Sequence, residues 1–163
     1  MRARRRALAV LSVASLLVGC TVLPDAPRRL GTCGIAMAIW MTHPTDARYE
    51  YFRIDDGKLH YGGGRDALML KTSWSTPLTA EQCAAVRELV LKAGWLSPEM
   101  SSSETEKNEA TASVAIAWDE GRCQFRLAGG APSVVAVVEY LEVIARTRFK
   151  PSIDRLPEAG PQK

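Results

Sequence analysis

The feature that most constrains this chain is a pair of short segments with strict two-residue alternation, joined by turn residues. Ala112, Val114, Ile116 and Trp118 alternate with Ser113, Ala115 and Ala117; after Asp119-Glu120-Gly121, the residues Cys123, Phe125 and Leu127 alternate with Arg122, Gln124 and Arg126. Successive side chains of a strand point to opposite faces, so each segment has one apolar face, and the acidic turn with its glycine folds the two into an antiparallel hairpin. A second hairpin is written the same way. Arg48 to Ile54 sets Phe52 and Ile54 on one face and Tyr49, Tyr51 and Arg53 on the other, and Asp55-Asp56-Gly57 turns the chain into Lys58 to Tyr61. Gly34 to Met41 is nearly all apolar and too short for an ordinary helix, which predicts a buried strand ended by His43-Pro44-Thr45-Asp46. Beyond Gly62-Gly63-Gly64, the shared face of Leu68, Leu70, Thr72 and Trp74 predicts a further strand closed by Pro77.

Two other segments change period. Thr79-Ala80-Glu81-Gln82 has the spacing of a capping box, and Cys83, Val86, Leu89, Val90 and Ala93 follow helical spacing up to Gly94. Ala131-Pro132-Ser133 opens a second helix, whose stripe of Val134, Val137, Val138, Leu141, Ile144 and Ala145 runs to about Arg148. Ser97 to Asn108 is polar and predicts a mobile loop. Strands with one apolar face and helices with one apolar stripe are all buried if an antiparallel sheet carries two helices on one face, so the expected fold class is α+β. One domain over 33–149, a short tether before it and a flexible tail over 150–163 complete the expected organisation.

The chain of 163 residues has a formal charge of +3, and the excess lies in the leader, where Arg2, Arg4, Arg5 and Arg6 meet no acid. Without those four, 17 basic residues stand against 18 acidic ones, so no nucleic-acid partner is expected. The basic block is followed by an apolar run, Ala7 to Val18, shorter than the roughly 20 residues a membrane-spanning helix needs, and then by Gly19 and Cys20. This is the pattern of an export signal over 1–19. Leu17-Val18-Gly19-Cys20 resembles the lipobox of bacterial lipoproteins. That resemblance implies diacylglyceryl transfer to the Cys20 thiol, cleavage before it, and attachment of the mature chain to a bacterial membrane through lipid. Because Thr21 rather than aspartate follows, it also favours the outer membrane in a cell that has two.

Cys33, Cys83 and Cys123 would then face an oxidising compartment, where three thiols form at most one bridge. Cys83 on the helix stripe and Cys123 on the apolar hairpin face meet where helix packs on sheet, so the expected disulfide joins them and leaves Cys33 free; the competing reading makes all three small buried hydrophobes. Cys33 with His43 and His60 carries no local catalytic signature, and His43, Asp46 and His60 lack a recognisable metal spacing, so no catalytic residue, metal or cofactor is assigned. Gly62-Gly63-Gly64-Arg65-Asp66 suits a turn of positive φ better than a phosphate loop, since no Lys-Ser or Lys-Thr pair follows. The strongest lead is Tyr49, Tyr51 and Arg53, which would line the open sheet face if Phe52 and Ile54 face the helices. The expected function is that of a membrane-anchored envelope lipoprotein with a small non-catalytic binding or scaffolding domain, its partner an envelope protein or glycan. The alternatives are a thiol- or His-dependent hydrolase and a purely structural lipoprotein.

Overall fold

The computed structural model describes residues 27–102 and 109–147. The export signal, the lipobox, Cys20, the first part of the tether, the centre of the Ser97–Asn108 loop and the tail lie outside the described residues. The chain is α+β, as the alternation predicts. Its strands are β1 (Ile35–His43), β2 (Arg48–Asp55), β3 (Lys58–Gly63), β4 (Trp74–Pro77), β5 (Thr111–Trp118) and β6 (Gly121–Ala128); its helices are α1 (Arg65–Leu68), α2 (Ala80–Lys92) and α3 (Pro132–Thr147). The strands form one antiparallel sheet in the order β4-β3-β2-β1-β5-β6.

The central position of β1 explains its near-continuous apolar sequence, because a middle strand covered on both faces has no side to leave wet. Its odd-numbered residues face α2 and α3. Ile39 lies between Phe52 and Val114, and the row extends to Tyr61 on β3 and Phe125 on β6. Val86 and Val90 of α2, with Val134, Val137 and Leu141 of α3, close over this floor and are buried with it. The start of α2 is the expected capping box: Thr79 Oγ1 accepts from the Gln82 amide at 3.1 Å, and Gln82 Oε1 accepts from the Thr79 amide at 2.9 Å. Among the described residues no helix is long and apolar enough to cross a membrane.

Two expectations are corrected. The stretch from Leu68 to Trp74 is not one strand, since only Trp74–Pro77 pairs with β3 and Arg65–Leu68 forms the single-turn helix α1. The glycines decide this. Gly64 adopts φ +56 and starts the turn, and a Cβ on Gly62 would stand 2.1 Å from the Lys71 carbonyl oxygen, so the returning chain crosses β3 too closely for any other residue. Ala67 and Leu70, three apart as on a helix, pack on the sheet face opposite α2 and α3, while Leu68 and Met69 point outward.

The disulfide is also corrected: it joins Cys33 to Cys83, with Cα atoms 4.7 Å apart, and not Cys83 to Cys123. Residues Gly31–Cys33 wind into a 3-10 turn against the first turn of α2, closed by Gly34 at φ +62, which brings Cys33 to Cys83. Cys123 lies at the other end of that helix, where its Sγ donates to the Trp95 carbonyl at 3.3 Å. The nine residues from Cys83 to the helix end at Lys92 correspond to about 14 Å of helical rise, far beyond the reach of a bridge.

Candidate functional site

The sheet face opposite α2 and α3 carries two cross-strand rows. One runs His60, Arg53, Ala38, Ala115, Gln124 and the next Gly62, Tyr51, Trp40, Ser113, Arg126. Beside the first, Ala36 pairs with Ala117, which pairs with Arg122. β1 and β5 therefore present alanines where the neighbouring β2 and β6 present long side chains. Ala36, Ala38 and Ala115 are fully buried, and a cleft of about 1260 Å³ opens beside them, reaching this row at Ala117. Tyr51, Arg53 and Asp55 form one wall, Arg122 and Gln124 the other, Leu70 one end, and the segment Pro27 to Leu30 the opposite end.

Tyr49, Tyr51 and Arg53 lie on the sheet face away from α2 and α3, but that face is only partly open. α1 lies over one end and buries Tyr51 to 5% exposure, against Ala38, Ala67 and Ala115; Tyr49 is half-buried beside it. Of the three residues singled out, Tyr51 and Arg53 line the cleft, and Arg53 is the more exposed, with a side chain 42% accessible. Its guanidinium donates to Asp55 Oδ2 at 2.6 Å, and its buried Nε has no hydrogen-bond acceptor among the described residues. Asp55 Oδ1 accepts from the Arg29 amide at 3.2 Å and the Asp56 amide donates to the Arg29 carbonyl at 2.9 Å, which pins the Pro27–Leu30 end to the β2–β3 turn. Asp55 is the one acid among the lining residues, against Arg28, Arg29, Arg53 and Arg122. Burial, and then the charge of Arg53, hold His60 below the usual imidazole range.

Compared with models of known families and with curated proteins, this chain matches none.

Residues considered for catalysis are not brought together. Cys33 is bonded to Cys83 and offers no thiolate. Cys123 keeps its thiol, but burial pushes its pKa up, the wrong direction for a nucleophile. His43 is on the helix-covered face and His60 on the cleft face, so no centre includes both. Among the described residues no group of three or more His, Cys, Asp or Glu side chains is placed to hold a metal ion.

One polar cluster was not anticipated. Glu50 shares the apolar phase of Phe52 and Ile54 and is 6% exposed, yet it is charged. Arg48 Nη2 donates to it at 2.7 Å and lies 3.8 Å from Glu142 of α3, and His43 Nε2 is 3.9 Å from its other oxygen. Burial and the two carboxylates raise the pKa of the adjacent Tyr61. The phase of Glu50 on β2 was the available signal: a carboxylate in the apolar register needs partners. The cluster fastens α3 to β2.

Proposed function

We propose that this chain is an exported envelope lipoprotein, held to a bacterial membrane through lipid on Cys20, whose domain binds another envelope component in the sheet-face cleft without catalysis. The observation that carries the binding half is the cleft itself, lined by Arg28, Arg29, Arg53 and Arg122, at the end where the tether joins the domain. The export half rests on the basic block, the short apolar run and the lipobox ending at Cys20, and the Cys33–Cys83 bridge suits an oxidising compartment. With diacylglyceryl on Cys20 and a further acyl chain, attachment would be stable, where a single chain holds only marginally.

The test has two parts. Intact mass of the protein from membranes should give a chain beginning at lipidated Cys20, and Cys20→Ala should leave the membrane fraction; retention of that variant there counts against the anchor. Crosslinking in intact cells should capture a component that is lost with Arg53→Ala or Arg122→Ala. Capture unchanged by both variants would remove the cleft from the reading.

A further inference from the structure

We infer that the component met by this face is the anionic phospholipid surface of the membrane that carries the anchor, an assignment that rests on the lipid-anchored reading above. The charges of the domain are sorted by face. On the cleft side, outward strand positions hold Arg53, Lys58, Arg122 and Arg126 against Asp55, α1 adds Arg65 against Asp66, and exposed Arg28 and Arg29 stand at the rim. On the other side, α2 balances Glu81 and Glu88 with Arg87 and Lys92, and α3 sets Glu139 and Glu142 against Arg146. A chain near neutrality after its leader thus presents one cationic face, and fields near a surface follow that local sorting rather than the total.

Two further observations give the face its orientation and its means of attachment. The seven residues from Cys20 to Pro27 span at most about 25 Å when extended, so a lipidated Cys20 keeps the Pro27 rim of the cleft close to the headgroups. On the same side of the sheet, Leu68 of α1 and Met69 just after it are 49% and 60% exposed, between exposed Arg65 and Lys71, with partly exposed Asp66 the one acid of this turn. Large apolar side chains flanked by cations are what an interfacial contact uses: the apolar tips enter the headgroup boundary and the guanidinium and ammonium groups meet phosphate. The cleft then receives phosphate oxygens at the exposed guanidinium ends of Arg53 and Arg122.

The test uses the mature lipidated protein in vesicles of phosphatidylcholine with phosphatidylglycerol, and in phosphatidylcholine alone. An environment-sensitive fluorophore is placed at Met69→Cys, or as the opposite-face control at Leu91→Cys, which is 55% exposed on α2; both carry Cys123→Ala. The expected result is a blue shift at position 69 in phosphatidylglycerol vesicles, no shift at position 91, and reversal by salt. Arg28→Ala and Arg122→Ala, both at exposed sites, should each lower the docking equilibrium about fivefold. Vesicle flotation reports the anchor separately. Protein that floats but shows no shift at position 69, or equal shifts at both positions, overturns docking and leaves the anchor standing. Protein that carries no lipid and does not float overturns both. A shift at position 69 that is indifferent to phosphatidylglycerol and to the arginines overturns the anionic headgroup as occupant.

Discussion

The Cys33–Cys83 bridge closes a loop with a sequence separation of 50 residues, and that length sets the size of its effect. Chain-entropy arithmetic for 50 residues gives an entropy loss in the unfolded chain of about 14 cal/mol/K, or about 4 kcal/mol at 25 °C. Both sulfurs are buried, Cys33 and Cys83 each being 4% exposed, so the pair also contributes to the core after reduction. The comparison that isolates the bond is the same protein with and without reductant. Urea unfolding of the wild type should show about 4 kcal/mol less stability in reductant, with a melting temperature lower by roughly 15 °C. Cys123→Ala should keep that full sensitivity, whereas Cys33→Ala and Cys83→Ala should lose it and unfold alike in both conditions. A Cys83–Cys123 bridge would stabilise by nearly the same amount, so the size of the effect does not discriminate, but the pattern among variants does. Loss of reductant sensitivity in Cys123→Ala, with its retention in Cys33→Ala, would refute the reasoning, as would a peptide map joining Cys83 to Cys123.

Three further outcomes can be measured by the same unfolding experiments. Thr79→Ala removes the acceptor for the Gln82 amide and should cost about 1 kcal/mol, with Thr79→Ser close to wild type. Arg48→Ala takes the guanidinium partner from the buried Glu50 side chain and should cost about 1–2 kcal/mol, short of the full penalty for an orphaned charge because Arg48 is itself 55% exposed; adding Glu50→Gln should recover part of the loss in a double-mutant cycle. His60 is held below the usual imidazole value of about 6.5 by burial and by Arg53, so the unfolded chain binds its proton more readily. Its contribution is therefore complete above that value and is lost as pH falls below it toward the folded pKa, and His60→Gln should flatten the stability profile in that window. A profile equally steep in the variant would show that another group is responsible.

How much of this was legible in the sequence follows from the range over which each signal acts. The hairpins around Asp55-Asp56-Gly57 and Asp119-Glu120-Gly121, the Thr79 capping box and the stripe of α3 are properties of neighbouring residues, and they stand where the alternation and spacing put them. The errors came where a distant contact decided. Leu68, Leu70, Thr72 and Trp74 alternate like a strand, but the approach of Lys71 to Gly62 makes a helical turn with a return over β3, and that turn covers Tyr51. Cys83 and Cys123 share the core side, yet a helix length separates them, and the short turn that delivers Cys33 has no periodicity to announce it. The cleft stands between these cases. The alternation of one strand puts Tyr49, Tyr51 and Arg53 on the face away from Phe52 and Ile54, whereas the meeting of Arg53 with Ala117 and Arg122 around one cleft exists only once β1, β5 and β6 are paired. The same holds for charge. Seventeen bases against eighteen acids are a reason to expect no nucleic-acid partner, but a count has no faces, and the pairing of β6 with β5 turns Arg122 and Arg126 to the side of Arg53. What a near-neutral total excludes is a long-range field around the whole domain; it leaves room for a cationic face held at a membrane by its tether, where interactions within a Debye length of about 8 Å govern contact.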